Sequence, residues 1–172
     1  MTRVAFIASV AMALVISFEP AVAEPVTFTA KLSSDPQGEQ NASSGTGSAT
    51  VVIDAAAHTL QVSITFAGLQ NPSTAAHIHC LCTEPPGAQT TNAATVVPTF
   101  FGFPLGVTSG TYSGTLDTLK ADTYSPRFLK ASAGTAATAE AALFSGMLAG
   151  QTYLNVHTVG TERFGEIRGF LQ

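Results

Sequence analysis

Strict alternation of apolar and polar residues recurs in short segments of this 172-residue chain. The clearest case runs from Thr59 to Leu69, where one face consists of Leu60, Val62, Ile64 and Phe66. Because successive side chains of a β-strand point to opposite faces, this pattern predicts a strand with one face against a core. The preceding run, Gly47 to Ala55, alternates in the same way and is joined to it near Asp54 to His58, which predicts a hairpin.

Further strands are predicted where similar runs lie between turn residues: Val26–Leu32, Ala75–Cys82, Ala93–Pro98, Gly110–Leu119, Gln151–Thr158 and Gly165–Leu171. Two short helices are expected late in the chain. One begins at Ser125-Pro126, since serine is a good N-cap and proline suits the first helical position, and the other runs from Thr138 to Ala149. Seven or eight strands with two helices predict an all-β fold, a Greek-key-like antiparallel β-sandwich with two short inserted helices.

The amino terminus has the features of a signal peptide. Arg3 precedes an apolar run from Val4 to Phe18, and Ala21-Val22-Ala23 is a small-x-small cleavage signal. The apolar run is short for a membrane span, and Glu19-Pro20 ends it. We expect residues 1–23 to be removed, leaving a single domain at 24–172, secreted or periplasmic and without a membrane span.

The charge of the chain makes some classes of binding partner poor candidates. The formal net charge is −4, and loss of Arg3 and Glu19 with the signal peptide would leave it unchanged. No basic cluster is present, so nucleic acid and anionic membrane surfaces are poor candidates. A protein or another extracellular partner of unknown identity remains.

Two histidines on one predicted strand suggest a metal site. His77 and His79 point to the same face, with backbones about 7 Å apart, from which both can reach one ion. His157 lies in a second alternating segment and also points away from its apolar side. Three neutral imidazoles with an open fourth position suit copper or zinc, with an affinity that we expect to fall below about pH 6.5. The alternative is that these histidines are ordinary polar residues of an exposed strand face. His58, on the predicted hairpin turn, is expected to be a solvated surface residue.

The carboxy-terminal hairpin places other polar residues on the histidine face. A turn near Thr161 would put His157 opposite Glu166 and Asn155 opposite Arg168. Glu166 would then accept the second N–H of a liganding histidine, and Arg168 would either pair with Glu166 or attract an anion. These three residues, Asn155, Glu166 and Arg168, are predicted to surround the ligands rather than to bind the metal.

Both cysteines of the chain follow the histidine pair, at Cys80 and Cys82. In an oxidising compartment they are predicted to form a disulfide. Their α-carbons in an extended strand would be near the upper limit of about 7 Å, so a bridge needs a local bend. An intermolecular bridge and thiolates that join the metal are the alternatives.

The chain resembles the chordin-type (CHRD) domain in several motifs that follow in order. These are Phe28–Ala30, Ser44–Ala49, Phe66–Leu69, Ala76–His79, Tyr153–Thr158 and Gly165–Gly169. The resemblance implies an exported β-sandwich and little about activity. The chain departs from the family at Cys80 to Cys82 and in a long insert between Pro98 and Ser145. The His-x-His strand is also similar to that of copper/zinc superoxide dismutase, although the bridging histidine and the zinc-binding aspartate of that enzyme have no counterpart here.

Three functions are compatible with these residues. The first is a non-catalytic exported binding module that holds a divalent metal, the second a small copper redox enzyme with dismutase-like chemistry, and the third a purely structural or adhesive domain. No Ser-His-Asp arrangement, phosphate-binding loop or paired carboxylate emerges from the sequence. This favours the binding module over an enzyme.

Overall fold

The computed structural model describes residues 24–34, 43–88, 91–161 and 165–172. The predicted signal peptide, residues 1–23, lies outside these ranges, and its removal stays a prediction. Within the described ranges, no helix combines the length and apolar character needed to cross a membrane.

Seven strands of the described residues form two antiparallel sheets: β1 (Val26–Leu32), β2 (Thr46–Asp54), β3 (Thr59–Ala67), β4 (Ser73–Cys80), β5 (Gly110–Asp117), β6 (Thr152–Thr158) and β7 (Ile167–Phe170). The first sheet has the order β1-β2-β3-β5 and the second the order β4-β6-β7. The chain thus changes sheet after β3, after β4 and after β5. The predicted all-β sandwich with short helices is confirmed.

The first sheet follows the alternation of the sequence directly. Across the β2–β3 hairpin, Val51 pairs with Val62, and both side chains are fully buried. Burial of such a side chain contributes about 1.5–3 kcal/mol. The residues that alternate with the buried ones along β2 and β3 are mostly Thr and Ser, and most of them face solvent. In the hairpin turn, Asp54 Oδ1 accepts hydrogen bonds from the backbone N–H groups of Ala56 and Ala57.

The second sheet is covered on both faces. All seven residues of β6 are buried, so the face that the sequence marks as polar does not reach solvent. The outer edge of β4 is covered by the segment that follows it. The hydroxyls of Thr95 and Thr99 accept hydrogen bonds from the backbone N–H groups of Ile78 and Ala76, respectively. These contacts leave neither edge N–H group without a partner.

The strand predicted at Ala93–Pro98 does not form as a regular strand. The segment forms only isolated bridges, from Ala93 to His79 and from Thr95 to Tyr124. A regular strand would bond the edge N–H groups of β4 through its backbone carbonyls. Here threonine hydroxyls accept these hydrogen bonds instead, so a continuous ladder does not form.

Both helices lie in the insert, as predicted. Helix α1 (Pro126–Ala131) is capped by Ser125, whose hydroxyl accepts from Phe128 N at 3.1 Å. Helix α2 (Ala136–Leu148) begins two residues earlier than predicted because Thr135 and Thr138 form a reciprocal capping box. It packs on β4 and β6. The same insert supplies β5, which extends the first sheet beside β3.

Candidate metal centre

The pairing of β4 with β6 brings the three predicted ligands together. Ala75 lies opposite His157 and His77 opposite Asn155, so alternate residues of both strands share one face. One possible ligand nitrogen from each of His77, His79 and His157 lies within 4.8 Å of the others. The ring centroids are separated by 5.3 to 6.3 Å. The predicted convergence of the two strands on one histidine patch is confirmed.

The histidine patch is buried rather than exposed. The three side chains have exposed fractions of only 5–7%. The sequence marks this face as polar, and polar strand faces usually meet water. Here loops that contain Thr91, Pro98 and Thr161 lie against it and bond to the rings.

Each imidazole is hydrogen-bonded to a different main-chain carbonyl. His77 Nε2 lies 2.7 Å from Pro98 O, His79 Nδ1 2.8 Å from Thr91 O, and His157 Nδ1 3.0 Å from Thr161 O. A carbonyl can only accept, so the named nitrogen of each ring must donate, and this fixes the tautomer. When the ring is neutral, its other nitrogen carries a lone pair, as metal binding requires.

In His77 the nitrogen that carries the lone pair is Nδ1. This atom is buried and makes no hydrogen bond to any described residue. A buried acceptor without a donor is costly, and a metal ion would satisfy it. This nitrogen is therefore available to a ligand that enters the cluster.

The second nitrogen of His79 lies beside Asn155. His79 Nε2 and Asn155 Oδ1 are 3.2 Å apart. When Nδ1 carries the hydrogen, Nε2 can only accept, so this contact is a hydrogen bond only if the amide is turned and Asn155 Nδ2 donates. Asn155 therefore contacts a candidate ligand, where the sequence placed it.

Burial keeps two of the rings neutral. The pKa of His77 is lowered to about 4 by burial first and by the nearby His157 second, while the bond to Pro98 opposes the shift. Burial likewise lowers the pKa of His79 to about 3, although its bonds to Thr91 and Asn155 oppose this. Neutral imidazole is the metal-binding form. Proton competition at these two rings should thus begin near pH 4, not near the pH 6.5 expected from the sequence.

Glu166 is held by contacts other than the predicted one. Its carboxylate accepts from the hydroxyls of Ser43 at 2.5 Å and Thr158 at 2.6 Å, and from the N–H groups of Gln70 and Asn71. Burial raises the pKa of Glu166, but these four hydrogen bonds outweigh it and lower the pKa below its usual range. The described bonds tie the start of β7 to two loops. The role of acceptor to a histidine N–H, predicted for Glu166, is taken at all three rings by main-chain carbonyls.

Arg168 lies opposite Asn155, as predicted. It is buried, and its guanidinium carbon is 5.5 Å from the centroid of the Tyr153 ring. Tyr153 itself stacks on His79, with centroids 4.7 Å apart and planes 8° apart. Sequence reasoning gave Tyr153 no role, although it lies two residues before Asn155 and therefore on the same face of β6. Thr91, in a loop, carries no signal in the sequence.

Cys80 and Cys82 are joined by a disulfide in the structure, with α-carbons 5.1 Å apart. The 3₁₀ turn at Leu81–Thr83, directly after β4, supplies the bend that the bridge needs. Cys80 belongs to the hydrophobic core and so lies on the side of β4 opposite to His79. This arrangement disfavours the alternative in which thiolates join the three imidazoles.

His58 lies outside the histidine patch, as expected, but it is not simply solvated. Its side chain is 42% exposed, and Nδ1 lies 3.0 Å from Oε1 of Glu140 on α2. The residue has a positive φ of 54° in the hairpin turn. It therefore links the β2–β3 turn to the helix.

Fold and site together define a β-sandwich with a buried three-histidine cluster beneath the loops of one sheet. The family model of the CHRD domain matches residues 28–171. The chain therefore belongs to the CHRD domain family, as its motifs predicted. Neither a curated protein nor a solved structure matches it.

Proposed function

We propose that this CHRD-domain chain is an exported binding module that holds one divalent copper or zinc ion at His77, His79 and His157. The observation that carries the proposal is the convergence of three imidazoles within 4.8 Å, each with its N–H bonded to a backbone carbonyl. Carbonyl-bonded imidazole is the arrangement found at liganding histidines.

The cluster is close to the size that an ion needs. Metal–nitrogen bonds of about 2.0–2.1 Å in a tetrahedral site place the nitrogens about 3.4 Å apart. A contraction on the order of 1 Å, within reach of small side-chain rotations, would close the site. Nitrogen ligands of this kind suit zinc and copper, and three of them leave one coordination position for water or another ligand.

Export is supported by the sequence of the amino terminus. Arg3, the apolar run after it and Ala21-Val22-Ala23 have the order of a cleavable signal. A site that meets extracellular or periplasmic metal would then be filled after export. The partner of the module is a protein or another extracellular molecule.

A small copper redox enzyme is the second candidate, and Arg168 is the observation that favours it. The cationic guanidinium is buried over Tyr153, which stacks on His79. A cation near an open copper position would attract an anionic substrate. Dismutase assays on copper-loaded protein separate the two candidates, because a binding module would show no turnover.

The test of metal binding is calorimetric titration of the metal-free protein with Zn²⁺ and Cu²⁺ at pH 7.5. We expect one ion per chain, and a loss of at least 100-fold in affinity for His77→Ala, His79→Ala and His157→Ala, since each removes one of three ligands. The control is His58→Asn, because asparagine tolerates the positive φ of that turn, and this variant should bind like the wild type. Unchanged binding by His157→Ala would refute a centre shared between β4 and β6.

A further inference from the structure

Thr91, the residue whose carbonyl orients His79, is itself held by two side chains. Thr91 O accepts from His79 Nδ1 at 2.8 Å. The phenol oxygen of Tyr153 lies 3.4 Å from both the N and the O atom of Thr91. On the other side, the Thr91 hydroxyl donates to Glu84 Oε1 at 2.5 Å. Tyr153 and Glu84 thus restrain the loop that carries this carbonyl.

Tyr153 also contacts His79 directly. The two rings are nearly parallel, 8° apart, with centroids at 4.7 Å. The Tyr153 ring is buried, so it limits rotation of the imidazole about its side-chain bonds. The hydroxyl and the ring of one residue therefore act on the same ligand, one through Thr91 and the other by stacking.

We infer that Tyr153 and Glu84 are positioning residues of the metal centre, which fix the orientation and tautomer of His79 through Thr91. The inference rests on the proposed function, because it assigns a role in metal binding. Neither residue is placed on the metal. The carboxylate that supports a candidate ligand is thus that of Glu84, whereas the sequence analysis assigned this role to Glu166.

Tyr153, Thr91 and Glu84 form a trio of hydrogen-bonded residues. A second trio, away from the three histidines, makes the same bonds. Tyr124 donates its hydroxyl to Thr118 O at 2.9 Å, and the Thr118 hydroxyl donates to Glu140. Glu140 in turn bonds His58. Tyrosine, threonine and glutamate thus have the same roles in both trios, but only the first leads to a candidate ligand. The second trio supplies matched controls.

The experiment compares Tyr153→Phe and Glu84→Ala with Tyr124→Phe and Glu140→Ala. For each protein the Zn²⁺ affinity is measured by competition with a chelator, the Cu²⁺ site by its electron paramagnetic resonance spectrum, and stability by urea unfolding. We expect Tyr153→Phe to lose 10- to 100-fold in affinity, as supporting residues of metal ligands do, and to change the copper spectrum. Glu84→Ala should change both in the same direction by about 10-fold or less in affinity. Both control variants should keep the wild-type affinity and spectrum.

The outcomes separate the inference from the proposed function. If the wild type binds no metal, the proposed function fails and the inference fails with it. If the wild type binds and Tyr153→Phe has the same affinity and spectrum, only the inference is overturned. A loss of affinity with an unchanged copper spectrum also overturns it, because a purely structural role would do this. Should Tyr153→Phe fail to fold, Glu84→Ala decides, since Glu84 lies in a partly exposed loop and holds the same residue, Thr91, through its hydroxyl.

Discussion

At the scale of single residues, the protonation of the buried rings links the fold to pH. His77 and His79 titrate near pH 4 and 3 in the folded chain, against about 6.5 when unfolded. Between these values the unfolded chain binds more protons, so protons favour unfolding. The stabilisation is complete above pH 6.5 and decreases as the pH falls below it.

We therefore predict that the metal-free protein loses stability between pH 7.5 and 5.0. Each ring contributes a loss of about 2 kcal/mol over this range, since one pKa unit corresponds to about 1.36 kcal/mol. Urea unfolding at several pH values measures this loss. The double variant His77→Asn, His79→Asn should show a flatter profile. A wild-type midpoint that does not change with pH would contradict the assigned shifts.

Glu166 gives a second prediction at this scale. Its carboxylate accepts four hydrogen bonds, and a glutamine cannot accept all of them with its amide group. Glu166→Gln should destabilise the protein by about 1–3 kcal/mol, the cost of buried groups left unsatisfied, with little change in metal affinity.

The control for Glu166→Gln is Asp122→Asn, at an exposed position, which should change stability by no more than about 0.5 kcal/mol. The measurements are the urea midpoint and the zinc affinity. A 10- to 100-fold loss of affinity with normal stability would instead restore the role that the sequence suggested for Glu166.

At the scale of elements, a glycine allows helix α2 to pack closely against the disulfide. A Cβ atom added at Gly146 would lie 2.3 Å from Cys80 Sγ and 3.1 Å from Cys82 Sγ. Alanine is otherwise better than glycine in a helix by about 1 kcal/mol. The close approach of the helix to the bridge is therefore the reason that a glycine is required here.

We predict that Gly146→Ala destabilises the protein by about 1–3 kcal/mol, since overpacking outweighs the gain in helix propensity. Ser145→Ala is the matched control, because Ser145 is exposed on the same helix and alanine is the better helix former. The urea midpoints of the two variants should therefore move in opposite directions. A stabilised Gly146→Ala would show that α2 does not pack against the bridge.

At the scale of the whole molecule, the first strand of the sandwich, β1, begins at Val26, after the predicted cleavage site. The family match begins at residue 28, shortly after the expected new terminus at Glu24. We predict that the mature protein begins at Glu24. Mass spectrometry of the exported pool measures this, and intact Met1 in that pool would refute it.

The sequence by itself determined the local elements and the identity of the candidate ligands. Alternation in Thr59 to Leu69 depends only on neighbouring residues, so β3 and its hairpin follow from it. The Ser125-Pro126 cap is equally local. His77 and His79 share a face because the period of a strand is two, and the facing of His157 follows from the same rule.

Only the tertiary structure decided what surrounds those ligands. The carbonyls of Thr91 and Pro98 reach the rings from the connection between β4 and β5, and that of Thr161 from the segment after β6. A backbone carbonyl is present at every position of a chain. Nothing in the sequence thus marks these three. The burial that lowers the pKa of His77 and the four bonds that engage Glu166 depend on loop packing over the second sheet. These contacts join residues far apart in the chain, which the period of a strand does not encode.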